Sequence, residues 1–215
     1  MEPVTIEEAC QWYSNADPVH DFNHVLRVYR LAERLAIAEG ADLEIIRAAA
    51  LLHDSRGSSP QGEGNARTEH HILSAQFAGE VLTRKGWPTE KILAVQHCIR
   101  AHRFRSKADK PQTVEAEVLF DADKLDVLGA IGAARTIAYG VLAGQPIYAE
   151  PSEQFIQTGI KQSGEPHSSY HEFLFKLQKV SNRMFTKSGK VLAKERHDFL
   201  VQFYKQLQAE VRGER

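Results

Sequence analysis

The sequence predicts an all-α protein folded as one multi-helix domain. Three observations carry that prediction. Apolar residues recur at helical spacing, as in Val25, Leu26, Val28, Tyr29, Leu31, Ala32, Leu35 and Ala36, which share one face of a 3.6-residue period. No alternating apolar and polar run, internal repeat or sustained heptad series stands out. Helix-starting and helix-ending residues punctuate the chain at helical intervals. With 215 residues and 42% hydrophobic side chains, the chain can bury a substantial core, and one large domain is the simplest arrangement.

Thr5 followed by Glu8 forms a capping box that opens a short first helix, ending near residues 15–18. The stretch DFNHVLRVYRLAERLAIAEG makes the second helix, with His24 inside it and Gly40 as its stop. Asp42 caps the third, whose AAALL run is apolar on most sides and terminates at His53-Asp54. Residues 55–67, SRGSSPQGEGNAR, lack a hydrophobic period and read as a mobile loop placed to act as a lid. Thr68 caps a fourth helix reaching Gly86, and Thr89 with Glu90 opens a fifth that carries His97 and His102. After the basic loop RFRSKADKPQ, Thr113 starts a long helical segment through EAEVLFDADKLDVLGAIGAARTIAYG, with Asp121, Asp123 and Asp126 set among apolar residues. Beyond a Gly- and Pro-containing excursion over 140–167, two amphipathic helices are expected over 169–186 and 188–211.

The 27 basic and 28 acidic side chains nearly cancel, which removes the global positive field of many nucleic-acid binders. Two cysteines, Cys10 and Cys98, are too few for a disulfide framework, and Cys98 reads as core filling. The opening MEPVTIEEACQWYS lacks the layout of a signal peptide, and no apolar run approaches the roughly 20 residues that span a bilayer. A soluble cytoplasmic protein is expected, without membrane or nucleic-acid partners.

The stretch AALLHDSRG drives small apolar residues straight into an imidazole and a carboxylate. A carboxylate beside apolar packing loses hydration that hydrogen bonds, a counter-charge or a metal must replace. His24, His53-Asp54 and an aspartate within 121–126 supply two imidazoles and two carboxylates from three predicted helices. Manganese, iron, cobalt, nickel or zinc suits that donor set. Helix capping or buried ion pairs explain each residue singly, but only as several coincidences together. Asp121 and Asp123 point roughly 200° apart on a helix, so they do not share one mononuclear site.

A divalent ion there acts as a Lewis acid on a bound oxygen and lowers the pKa of bound water. Arg27, three residues after His24 on the same helical face, is the first candidate contact for an anionic substrate. Lys124 adjoins Asp123, and Arg135 lies further along the same segment; both also read as solvated helix charges. His20 and Asp21 precede His24 by about one turn, where they either orient it or cap the helix. Lys176, Arg183 and Arg196 read as solvated-face charges.

HVLRVYRLA, AALLHD and DADKLDVLGA together resemble the HD-domain metal-dependent phosphohydrolases, whose pattern is a histidine, a His-Asp pair and a distal aspartate. The likeness extends through HDFNHVLRV, HHILSA, EAEVLFDADKLDVLGAIGAAR and MFTKSGKVLAKER, and is greatest to a bacterial subfamily with nucleotide pyrophosphohydrolase members. It implies one HD-type helical domain over 1–215, with core ligands within 20–135 and C-terminal helices over 168–212 packing on it. It also implies one central metal ion, manganese favoured, bound by His24, His53, Asp54 and Asp123, with Asp54 taking part in catalysis. Some relatives bind a second metal through extra histidines. Here the resemblance favours one metal, with His70 and His102 binding or protonating substrate.

The acid–base group stays open. Some related phosphatases carry a glutamate shortly after the His-Asp pair, where this chain has Ser55, Arg56 and Gly57, leaving Glu63 or Glu69 as replacements. The implied reaction is hydrolysis of a nucleoside triphosphate to monophosphate and pyrophosphate. A phosphomonoesterase, a di-iron oxygenase and a non-catalytic nucleotide-binding module are the competing readings.

Overall fold

The computed structural model describes residues 1–13, 21–56, 66–103 and 109–215, and their side chains except those of 66–69. Among these residues every regular element is helical. Side-chain caps set the first boundaries. In α1 (Ile6–Cys10) the Thr5 hydroxyl accepts the Glu8 N–H at 3.2 Å, but the helix stops at Cys10, short of the expected end. In α2 (Phe22–Glu39) the Asp21 carboxylate caps the start through the His24 N–H, and Gly40 at φ 74° closes the end. In α3 (Leu43–Leu52) Asp42 accepts the N–H groups of Glu44 and Ile45. Helix α4 (Ala66–Arg84) starts two residues before Thr68, and α5 (Thr89–Ala101) begins as expected.

The long helix expected from Thr113 onward is two helices, α6 (Val114–Leu125) and α7 (Gly129–Leu142). Leu128 is extended (φ −112°, ψ 166°) and Gly129 takes φ 69°, a left-handed value that a right-handed helix cannot pass through. Asp126 falls in this break. Next come α8 (Glu153–Thr158), α9 (Ser169–Glu172), a π-helical turn (Phe173–Leu177), α10 (Gln178–Val180) and a 3₁₀ turn (Ser181–Arg183). The helix expected over 169–186 is therefore a series of short pieces. Last is α11 (Lys187–Val211).

The chain forms two compact units, Met1–Lys124 with Phe185–Gly189, and Leu125–Met184 with Lys190–Arg215. In the first, α2 packs on α3, α3 on α5, and α4 on α5. Val25, Val28, Ala32, Leu35, Ile46, Leu52, Leu82 and Ile99 are at most 1% exposed and make its core. The remote segment Phe185–Gly189 joins this unit through Asp121, which is wholly buried on α6. Its carboxylate accepts the N–H of Phe185 at 3.0 Å, the N–H of Thr186 at 2.8 Å and the Thr186 hydroxyl at 2.7 Å. Gly189 is obligatory at this contact, because a Cβ there would stand 2.2 Å from Asp121 Oδ2. Glu39, at the end of α2, accepts the Ser188 N–H at 2.7 Å.

In the second unit Phe173 stacks on Tyr204 at 4.4 Å among buried Phe155, Leu177, Val180 and Leu200. A buried polar network pins the start of α9: His171 bridges the Ser168 hydroxyl at 2.9 Å and the Glu165 carboxylate at 3.0 Å. Glu165 also accepts the N–H groups of Ser152 and Gln162. Among the described residues no single helix is long and apolar enough to cross a membrane.

Candidate metal centre

Six side chains of the first unit converge. His24 comes from the first turn of α2, His53 and Asp54 from the end of α3, His70 from α4, His102 from the end of α5 and Asp123 from α6. Helix ends orient two of the imidazoles. Nδ1 of His53 donates to the Ala50 carbonyl at 2.8 Å, and Nδ1 of His102 donates to the Ile99 carbonyl at 2.5 Å. Each ring thus satisfies a C-terminal carbonyl that has no helical partner and turns the lone pair of its Nε2 into the cluster.

Asp54 is the hub. Its Oδ2 lies 3.6 Å from His53 Nε2 and 3.9 Å from His24 Nε2. Its Oδ1 lies 3.4 Å from His102 Nε2 and 3.6 Å from His70 Nε2. Asp123 Oδ1 stands 3.4 Å from His24 Nε2 and 4.0 Å from His53 Nε2. Two triads result, His24/His53/Asp123 and Asp54/His70/His102, each with its donor atoms within 4.8 Å of one another.

These residues fit a divalent ion. Nε2 of His53 is buried and has no hydrogen-bond partner among the described residues. Most of the gaps are too long for hydrogen bonds, yet donors held 2.0–2.2 Å from one ion stand roughly 3–4 Å from each other. The protonation states agree. Burial lowers the His53 imidazole to about 4, against the opposing pull of Asp54, so the ring is neutral near pH 7. Burial alone would raise both carboxyls. The imidazoles of His53, His102 and His70 hold Asp54 well below the usual range, and Lys124 with His24 does the same for Asp123.

Among the other expected residues, Lys124 Nζ donates to Asp123 Oδ2 at 2.6 Å and lies 5.5 Å over the Phe120 ring, at the edge of the cluster. Arg27 is half-buried on α2. Arg135 belongs to the second unit, where it pairs with Asp126. Asp126 therefore serves Arg135 at a helix break, and Asp121 faces Phe185 and Thr186. Asp21 bonds the backbone of His24, the capping alternative. His97 accepts the Gln112 N–H at 3.1 Å. His20, Glu63 and most of the 55–67 loop lie outside the described residues, as does the side chain of Glu69.

Tyr13, which carries no sequence signal, stands near the cluster with His71, one of the middle-region histidines, and Arg56, the second residue after the His-Asp pair. Tyr13 donates to the Leu51 carbonyl at 2.9 Å, and burial together with Asp54 raises its phenol. His71, buried beside His70, is lowered to about 4 by burial first and by His70 second. Arg56 lies over the Phe77 ring at 3.5 Å.

The HD domain family model matches residues 21–128, which include all six converging residues. The uncharacterized protein YpgQ of Bacillus subtilis (strain 168) is 32% identical over 198 residues, spanning 90% of this chain and 85% of its own. The crystal structure of Bacillus subtilis YpgQ in complex with ADP matches with a TM-score of 0.72 and 29% identity, over 96% of this chain and 98% of that one. An HD-superfamily hydrolase from Bacillus thuringiensis matches with a TM-score of 0.69 and 28% identity, over 96% of each. The histidine, the His-Asp pair and the distal aspartate occupy the matched stretch in order and meet in space, and the chain belongs to the HD domain family of metal-dependent phosphohydrolases.

Proposed function

We propose that the protein hydrolyses nucleoside triphosphates to a nucleoside monophosphate and pyrophosphate with manganese as its ion. The observation that carries the reading is the convergence of four imidazoles on the two oxygens of Asp54, with Asp123 completing the set at metal-ligand spacing. The ADP held by the Bacillus subtilis relative supports a nucleotide as the phosphorylated substrate.

In this reading His24, His53, Asp54 and Asp123 would hold the ion. When bound, it would polarise a phosphoryl oxygen and make a nucleophile of water near neutral pH. The chain supplies the rest. Lys124 and Arg27 are proposed to neutralise phosphate charge, with Lys124 supported most directly by its place beside Asp123; Arg135, expected to join them, pairs with Asp126 in the second unit. Asp54, held anionic, takes the proton of the attacking water, and His70 or His102 protonates the departing oxygen as the P–O bond between two phosphoryl groups breaks. We further propose a single cytoplasmic domain over 1–215 that engages neither membrane nor nucleic acid.

The triad Asp54/His70/His102 favours a second reading, in which a second ion shares Asp54. Manganese stoichiometry separates one ion from two. Incubating manganese-reconstituted protein with a nucleotide and phosphoester panel tests the activity: monophosphate with pyrophosphate is expected. Orthophosphate alone refutes the pyrophosphohydrolase, and iron content with oxygen uptake selects the oxygenase.

A further inference from the structure

We propose that Arg56 is a second anion subsite, gripping a phosphate of the substrate remote from the one held at the metal cluster. This rests on the phosphohydrolase reading. Arg56 follows Asp54 by two residues, and its backbone is clamped on both sides by one buried hydroxyl. Its N–H donates to Ser74 Oγ at 3.1 Å, and the Ser74 hydroxyl donates back to its carbonyl at 3.2 Å. The guanidinium carbon then sits 3.5 Å over the Phe77 ring, which Trp12 braces edge-on at 5.3 Å. A guanidinium that close to a ring centroid is held in place by it, and its forked donors can take two oxygens of a phosphate at once.

Its charge is what calls for an anion. Lys124 and Arg135 each face a carboxylate. Arg56 donates through Nη1 to the Ser55 carbonyl at 2.9 Å, and no carboxylate of the described residues lies within ion-pair distance of it. Half-buried against a ring and a carbonyl, the guanidinium keeps further donors for an anionic ligand.

The placement sets the size of that ligand. His70, Ser74 and Phe77 occupy positions i, i+4 and i+7 of α4 and share one face. His70 Nε2 touches the cluster 3.6 Å from Asp54 Oδ1. Phe77, with Arg56 upon it, is seven residues further along, about 10 Å at 1.5 Å per residue. The phenol of Tyr13 lies within electrostatic range of both the Asp54 carboxylate and the Arg56 cation, so one side chain faces both charges. A lone orthophosphate cannot bridge that distance; a polyphosphate chain or a nucleotide can.

The test measures ADP and tripolyphosphate binding to manganese-loaded protein by calorimetry, and ATP turnover, for wild type, Arg56→Gln, Phe77→Leu and the exposed control Arg47→Gln. Arg56→Gln should raise the ADP Kd and the ATP KM about ten- to hundredfold, as loss of a charge-assisted hydrogen bond does. Phe77→Leu, which keeps the cation and removes its platform, should raise them about threefold. Manganese affinity should stay at the wild-type value in both, and Arg47→Gln should match wild type throughout. Unchanged ADP Kd and ATP KM in Arg56→Gln overturn the subsite while leaving a nucleotide hydrolase intact. Loss of manganese affinity together with ADP affinity overturns it too, since Arg56 then only shapes the loop. A wild type that turns over no nucleotide, but whose tripolyphosphate affinity falls in Arg56→Gln, sinks the proposed activity and keeps the subsite. A wild type that binds no phosphate compound refutes both.

Discussion

Replacing Asp121 by alanine removes an acceptor that holds three donors at 2.7–3.0 Å inside the protein. Hydrogen bonds to a charged acceptor contribute about 1.5–3 kcal/mol each, and a buried donor left unsatisfied costs about 1–3 kcal/mol, though the terms do not simply add. Breaking such a buried network costs about 3–5 kcal/mol, a large part of the 5–15 kcal/mol that stabilises a typical domain. Urea unfolding followed by circular dichroism should show it as a midpoint lowered by about 2 M, at a slope of about 2 kcal/mol per molar. Thr186→Val removes the hydroxyl that donates to Asp121 and accepts the Gly189 N–H at 3.0 Å, and should cost about 1–2 kcal/mol. Gly189→Ala drives a methyl group against Asp121 Oδ2 and Thr186 Oγ1 and should cost about 1–3 kcal/mol. An Asp121→Ala protein within about 1 kcal/mol of wild type would refute the argument that this contact holds Phe185–Gly189 in place.

The two nearby aspartates should separate by metal content: Asp123→Ala loses most bound manganese while Asp121→Asn keeps it, and full occupancy in a folded Asp123→Ala protein would exclude Asp123 as a ligand. Metal-free protein should weaken in acid. His53 carries a folded pKa of about 4 against an ordinary 6.5, so its contribution is complete above pH 6.5 and is lost as pH falls toward 4, by on the order of 3 kcal/mol. The depressed carboxyls of Asp54 and Asp123 add a further loss only below about pH 4, where the unfolded carboxyls begin to protonate. Thermal unfolding across pH 4–7 should show the decline, and His53→Gln should flatten it; an equal slope in the variant would rule His53 out as its source. A thiol reagent should titrate one cysteine in the native protein, because Cys10 is exposed while Cys98 is buried with its thiol pushed up. Rapid reaction of both would contradict that burial.

Local chemistry explains which features were readable in advance. Thr5, Asp42 and Gly40 act through bonds to their own neighbours, so the residue type alone marks the boundary. His24, His53, Asp54 and Asp123 stood out because two imidazoles and two carboxylates among apolar residues need a shared reason. The break at Leu128–Gly129 carries no mark in the sequence, because apolar helical spacing continues across it and a glycine's sign of φ is not written in its neighbours. Pairings across long stretches of chain were equally hidden. Asp121 meets Thr186 over 65 residues, and Arg56 meets Ser74 over 18, with no periodicity to announce either. The imidazole that ends α5 was legible as a residue, but its bond to the Ile99 carbonyl, which aims it, was not.

The return of Phe185–Gly189 to the first unit means that this unit is discontinuous along the gene product. A ribosome that has released residues 1–124 has not yet supplied the donors for Asp121, which then sits as a desolvated charge without its three bonds. Completion of the metal-binding half waits for another 65 residues to emerge. The same topology disfavours recombination at the apparent boundary: a hybrid joined after Lys124 keeps every candidate ligand yet inherits a foreign plug for its most buried carboxylate, so the two halves are bound to be inherited together.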